Sequence, residues 1–269
     1  EIVRKADPDR YIATLYAPQD RRDDLFALYA FDLELRTLRE RVSEPLPGEI
    51  RLQWWREALA AAQPTGSPLA DVLIAAIGRH RLPLDVFDRY LEARIFDLYD
   101  DPMPDRVTLE AYCGETASSL MQVACLMLEP EAARMAVEAS GHGGCAEALT
   151  RLVWSLAAHR RRGQCYVPRE MLDAAGTDVG TFLSDHPGEG AARAAAMMIA
   201  LARQHLSQFE RGVRGLPEAL RPVFLPVAMC GPRLDAAERA GAGLLVHEPA
   251  ISPLRRHWTI WRRAARGWT

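Results

Sequence analysis

Three charged residues in the first part of the chain have a spacing that could build a binding wall. Asp32, Arg36 and Glu40 recur every four residues, so in a helix they share one face. Beside them runs an apolar stripe formed by Leu28, Phe31, Leu35, Leu38 and Val42. The pattern fits a charged wall that faces a ligand, or a chain of ion pairs worth about 0.2–0.5 kcal/mol each. Spacing alone favours the ion pairs.

A second candidate is the acidic run from Asp97 to Asp105, which is dense enough in carboxylates to bind Mg²⁺. Asp97 and Asp101 would lie one helical turn apart, whereas Pro102 and Pro104 predict a loop after them. The composition favours the alternative, a solvated helix end that leads into an N-capped helix.

Basic and small residues mark further candidate contacts. The basic residues 159–162 end a predicted helix before Gly163, where they can cap the helix C-terminus or bind an anion. The small residues 117–119 allow close approach of a ligand or, as the favoured interpretation, of another helix. The stretch His142-Gly-Gly-Cys145 predicts a glycine loop between two helices, because no second His/Cys pair completes a zinc site.

The C-terminal segment 252–267 combines apolar residues at helical spacing with many arginines. One stripe is formed by Leu254, Trp258, Trp261, Ala265 and Trp268. This pattern is typical of a helix on a membrane surface. It equally fits a last helix that docks on the core with an arginine-rich outer face, which is the favoured interpretation.

The elements that must position these residues are helices. Periodicity predicts an all-α chain with about ten helices around one core, and residues 1–269 form a single domain, since the Pro/Gly breaks are short. The net charge of −3 argues against nucleic acid. Five scattered cysteines favour a reducing, cytoplasmic compartment. The predicted helices are 23–42, 49–62, 68–79, 84–98, 107–128, 130–140, 144–160, 189–211, 217–228, 233–245 and 252–267.

Several stretches together resemble the squalene/phytoene synthase family, in the order that the family has them. They are DRYIATLYAPQDRRDDLFALYAF (9–31), LQWWREAL (52–59), TLEAYCGETASSLM (108–121) and RRGQCYVP (161–168). The resemblance implies the isoprenoid synthase fold, mostly antiparallel helices around a central cavity. Active members join two prenyl diphosphates head to head. Mg²⁺ ions held by two D-x-x-x-D motifs stabilise the leaving diphosphate.

The family's metal-binding motifs are altered in this sequence. In the first motif, the Arg falls on Leu33, the first Asp on Arg36 and the last Asp on Glu40. The second motif falls on Ser155 and His159. The signature Arg that follows falls on Gln164, and Tyr112 matches a family tyrosine that lines the cavity. A rebuilt metal site would have to draw on Asp32, Glu34, Glu40, Asp97 or Glu115.

One branch of the family shares this pattern, and it includes a mitochondrial assembly factor of respiratory complex I. FDLELRTLRERVSEP (31–45), FDLYDD (96–101) and ETASSL (115–120) resemble that branch. The resemblance implies a prenyltransferase-like pseudoenzyme that needs no metal or cofactor. Its partners would be respiratory complex subunits or an isoprenoid lipid. Peripheral contact with the inner membrane through the C-terminal helix is a separate expectation, which rests on the residue pattern of segment 252–267. The alternatives are an active Mg²⁺-dependent head-to-head synthase and a lipid-binding protein without chemistry.

Overall fold

The computed structural model describes residues 1–268 and is all-α, with no strand in that range. The prediction of an all-α chain is therefore confirmed. Its α-helices are α1 Ile2–Ala6, α2 Pro8–Thr14, α3 Arg22–Arg36, α4 Pro45–Ala61, α5 Pro68–His80, α6 Leu84–Ile95, α7 Arg106–Cys113, α8 Ser119–Leu128, α9 Pro130–Ala133, α10 Val137–Trp154, α11 Leu156–Arg161, α12 Arg169–Ala174, α13 Val179–Leu183, α14 Gly188–Gly212, α15 Arg221–Phe224, α16 Cys230–Ala240 and α17 Pro253–Arg266.

Several helix boundaries differ from the sequence prediction, and two of them have a clear local reason. The helix predicted over 23–42 ends at Arg36, after which Thr37 leaves the helical conformation and a 3₁₀ turn covers Leu38–Glu40. The next helix, predicted over 49–62, begins four residues earlier, at Pro45. A proline suits the first turn of a helix because its missing N–H would have no intrahelical partner there.

The predicted glycine loop at His142-Gly-Gly-Cys145 is wrong, because α10 runs through it without interruption. The glycines serve packing. A Cβ on Gly143 would lie 2.8 Å from the ring of Phe209, and one on Gly144 would overlap the backbone of Ser118. Ser118 belongs to a π-helical turn, Gly114–Ser118, between α7 and α8. The run of small residues there therefore contacts another helix, as favoured from the sequence.

The apolar core consists of two clusters. One surrounds the aromatic side chains of Phe31, Trp55 and Phe87, which α3, α4 and α6 bring together. The other lies around α10 and α14, the two longest helices, and contains Phe182. A cavity is lined by the end of α3 and by α10 and α11.

The C-terminal helix α17 docks on the core, but not through the predicted stripe. Ile260 is fully buried, whereas Leu254, Trp258 and Trp261 are all at least half exposed. Of the predicted stripe, Trp268 alone is buried. The outer face of α17 therefore carries apolar residues as well as arginines. Within residues 1–268, no helix is long and apolar enough to cross a membrane.

Candidate functional site

An arginine-rich cavity of about 330 Å³ lies between the end of α3 and the helices α10 and α11. Five arginines and three acidic residues contribute to its wall. The lining residues are Arg36, Thr37, Arg39, Glu40, Arg94, Asp97, Tyr112, Ala148, Arg151, Leu152, Ser155, Ala158, His159, Arg162, Gln164, Tyr166 and Glu248. The excess of guanidinium groups makes this wall complementary to an anion.

Most of the residues singled out in the sequence come together here. The candidates that line the cavity are Arg36, Glu40, Asp97, Tyr112, Ser155, His159 and Gln164. Asp32 lies behind the cavity wall, in a buried ion-pair network. The candidates Leu33, Glu34 and Glu115 lie elsewhere, and Glu34 pairs with Arg51 outside the cavity.

Leu33 and Glu115 are separated from the cavity by the geometry of their helices. Leu33 follows Asp32 by about 100° of helical rotation, and it packs into the apolar core. Glu115 projects from the π-helical turn into a separate, mostly apolar groove, where it pairs with Arg89 at 3.3 Å. Neither residue can contact a ligand inside the cavity from its observed position.

Asp32 is the centre of a buried network behind the cavity wall, and both of its carboxylate oxygens accept hydrogen bonds. Arg10 donates to Oδ2 at 2.6 Å, while Tyr90 and Arg94 donate to Oδ1 at 2.7 and 2.9 Å. Burial by itself would raise the pKa of Asp32, but Arg10, Arg36 and Arg94 hold that pKa well below its usual range. The carboxylate is therefore charged, and both of its oxygens already accept hydrogen bonds from protein donors.

Asp97 forms the second half of this network and is equally engaged. Tyr112 and Tyr166 each donate a hydroxyl to Oδ1 at 2.7 Å, and Arg94 donates to Oδ2 at 2.9 Å. Burial and the nearby Asp97 charge raise the pKa of Tyr166, so its hydroxyl stays protonated and can donate. Gln164 donates to the backbone carbonyl of Asp97 at 3.2 Å. This hydrogen bond holds the loop after α11 against the cavity wall.

Two arginines of the cavity wall make only long ion pairs. Arg36 lies 3.5 Å from Asp7 and 3.8 Å from Asp32, and Arg151 lies 3.4 Å from Glu147. Burial, and then the positive charge of Arg36, lower the pKa of Arg151. Two guanidinium groups that repel each other across a cavity would gain free energy from an anion placed between them.

His159 adds an unsatisfied polar atom to the same cavity. Its Nδ1 is buried without a hydrogen-bond partner, and its ring lies 4.8 Å from that of Tyr166. Burial and the charges of Arg162 and Arg151 lower the pKa of His159 to about 3. The imidazole is therefore neutral near pH 7, and it can offer a ligand one donor or one acceptor.

Comparison with known proteins agrees with this arrangement of helices. The family model of squalene/phytoene synthase matches residues 3–262. The chain belongs to the squalene/phytoene synthase family. A dehydrosqualene synthase has a TM-score of 0.82 at 16% identity, covering 98% of this chain and 93% of that one. A squalene synthase from Alicyclobacillus acidocaldarius has a TM-score of 0.74 at 20% identity, and the match covers 90% of this chain and 92% of that one. The predicted isoprenoid synthase fold is thus confirmed.

Relatives within the family include proteins of two kinds. Complex I assembly factor 6 from Bos taurus is 25% identical over 270 residues, covering 98% of this chain and 81% of that protein. The presqualene diphosphate synthase from Zymomonas mobilis is 27% identical over 188 residues, which cover 65% of this chain and 62% of that protein. The predicted resemblance to the assembly-factor branch is confirmed, and the similarity to it extends over more of the chain.

The residues of this family member do not fit the Mg²⁺ cluster that active members hold. In the part of the chain that the structure describes, no group of three His, Cys, Asp or Glu side chains could hold a metal ion. Among the lining carboxylates, Glu40 pairs with Arg162 at 3.1 Å and Glu248 with Arg161 at 3.7 Å. A divalent cation would also meet the charge of Arg36.

The cavity residue Arg151 was overlooked in the sequence, although its spacing from Ser155 could have identified it. Glu147, Arg151, Ser155 and His159 follow one another at intervals of four, so the face that carries Ser155 and His159 continues back into α10. Arg10 carried no such signal. It reaches Asp32 across 22 residues, and only the folded chain brings the two together.

Proposed function

We propose that this protein is a non-catalytic member of the squalene/phytoene synthase family that acts in the assembly of a respiratory complex. The observation that carries the proposal is the cavity wall, which contains Arg36 and Arg151. By resemblance, Arg36 stands where the first motif of active members has an Asp, and Arg151 lies one helical turn before Ser155 of the second motif. The extended similarity to complex I assembly factors supports the assembly role.

The charges of the wall favour binding over catalysis. Head-to-head transfer needs the charge of a departing diphosphate to be neutralised by metal ions. The carboxylate oxygens of Asp32 and Asp97 already accept hydrogen bonds from protein donors. The wall instead suits the direct binding of a phosphate-bearing head group, such as that of an isoprenoid lipid, between Arg36 and Arg151.

The binding half of the proposal is tested with pyrophosphate as the probe, in the presence of EDTA. Calorimetry should show binding that added Mg²⁺ does not strengthen, because guanidinium groups are the ligands. The double variant R36Q/R151Q should weaken it at least about tenfold. The control R193Q changes an exposed arginine on α14, and it should leave the affinity unchanged.

The competing function is an active head-to-head prenyl diphosphate synthase, which the similarity to presqualene diphosphate synthases favours. We expect the purified protein to form no product from farnesyl diphosphate and Mg²⁺. Product formation by the wild type that R36Q/R151Q abolishes would overturn the proposal. So would pyrophosphate binding that requires Mg²⁺.

The assembly half is tested in the source organism. Deletion of the gene should reduce the amount of assembled NADH:ubiquinone oxidoreductase on native gels, and the wild-type gene and R193Q should restore it. R36Q/R151Q should not restore it, since the cavity ligand is part of the proposed role. An unchanged level of the complex after deletion would refute the assembly role while leaving the pyrophosphate result intact.

A further inference from the structure

We propose that α17 lies flat on an anionic membrane surface, with Leu254, Trp258 and Trp261 inserted at the boundary between head groups and acyl chains. These side chains are 82%, 61% and 50% exposed, although they are among the largest apolar residues of the chain. The rings of the two tryptophans lie 5.0 Å apart and form one continuous apolar surface. A contiguous exposed apolar surface of this kind marks an interaction site. This inference goes beyond the proposed function and does not rest on it.

The exposed stripe is not needed to hold α17 on the protein, because the opposite face does so. Ile260 is fully buried there, and the guanidinium of Arg256 pairs with Asp9 at 2.8 Å. Beyond the end of the helix, Trp268 packs edge-on against Phe209, with ring centroids 5.5 Å apart. The helix is thus fixed by one face, and the other is presented outwards in a defined orientation.

The charge of α17 identifies the occupant as an anionic lipid surface. The helix carries five arginines and no acidic residue. At about 100° per residue, Arg262, Arg255 and Arg266 follow the apolar stripe along one flank, and all three are exposed. Tryptophan prefers the interfacial region of a bilayer, and a flanking row of arginines meets lipid phosphates.

A neighbouring aromatic residue extends this surface on the other flank of the stripe. Tyr16, which follows α2, is 45% exposed and lines a surface groove together with Ala264 of α17. The same side of the molecule therefore presents Trp, Tyr and Arg, the composition that interfacial segments use. A protein partner would not require the arginines to be concentrated along one edge of the stripe, whereas a planar layer of phosphates matches that arrangement.

The proposal is tested by flotation of the full chain with lipid vesicles. The wild type should float with vesicles of phosphatidylcholine and phosphatidylglycerol at a 3:1 ratio, and it should float weakly with pure phosphatidylcholine. The variant W258S/W261S should lower the partition coefficient at least about tenfold, because two interfacial anchors are lost. R262Q/R266Q should reduce binding to the anionic vesicles towards the level seen with pure phosphatidylcholine.

A matched control uses exposed apolar residues elsewhere on the surface. Val107 and Met135 are 75% and 64% exposed, and V107S/M135S should leave vesicle binding unchanged. Vesicle binding by the wild type that W258S/W261S does not weaken would overturn the proposal. No binding to either vesicle, with the tryptophans required instead for association with a protein, would also overturn it. Pyrophosphate binding should be the same in W258S/W261S as in the wild type.

Discussion

Replacing Asp32 by Asn is expected to lower the free energy of unfolding by about 3–5 kcal/mol. The carboxylate is fully buried and accepts hydrogen bonds from Arg10, Tyr90 and Arg94. The amide has the same size but no charge, so two buried guanidinium groups would each lose one of the anions that compensate them. Urea denaturation, followed by circular dichroism, measures the difference between D32N and the wild type.

The control for D32N is an ion pair of similar geometry at the surface. Asp88 accepts from Arg56 at 2.6 Å, but its side chain is 59% exposed, so D88N should cost at most about 1 kcal/mol. Equal effects of D32N and D88N would contradict the view that burial decides the contribution of Asp32.

The pH dependence of the same difference provides a second readout. The folded-state pKa of Asp32 lies below that of the unfolded chain, which is about 3.9. A depressed carboxylate pKa contributes stability that is complete above the unfolded value and declines as the pH falls below it. The difference in the free energy of unfolding between the wild type and D32N should therefore be constant near neutral pH and decrease below about pH 4.

Part of the helical structure was predictable from the sequence because its signals are local. Apolar periodicity located α3, α5 and α14, whereas α12 and α13 lie where no helix was predicted. Pro45 can equally stop one helix or start the next, and the glycines within α10 can equally form a loop or a close helix contact. Only packing partners that are distant in sequence decide between such alternatives.

The cavity wall was predictable where its residues follow a four-residue spacing. It was not predictable where residues distant in sequence come into contact. Arg36, Ser155 and His159 were found from their positions in family motifs, and they do line one cavity. Arg94 donates to both Asp32 and Asp97, which lie 62 residues and 3 residues away in the sequence. No sequence pattern predicted that the carboxylates of Asp32 and Asp97 would accept hydrogen bonds from side chains of the protein itself.

Replacing Gly144 by Ala is expected to destabilise the protein by about 3 kcal/mol, although alanine favours helices. The added Cβ would overlap the backbone N and Cα of Ser118 in the π-helical turn. Backbone atoms cannot rotate away as a side chain can, so α10 and that turn would have to separate. The measurement is again the free energy of unfolding from urea denaturation.

The matched control lies three residues earlier on the same helix. A Cβ on Gly141 would meet nothing within 4 Å, so G141A should stabilise the protein by about 0.5–1 kcal/mol through helix propensity alone. Opposite signs for the two variants would show that close packing against Ser118, rather than glycine flexibility, is what α10 requires at position 144. If G144A were stabilising as well, the close contact would be refuted. The position of the helix that carries Arg151 into the cavity would then need another explanation.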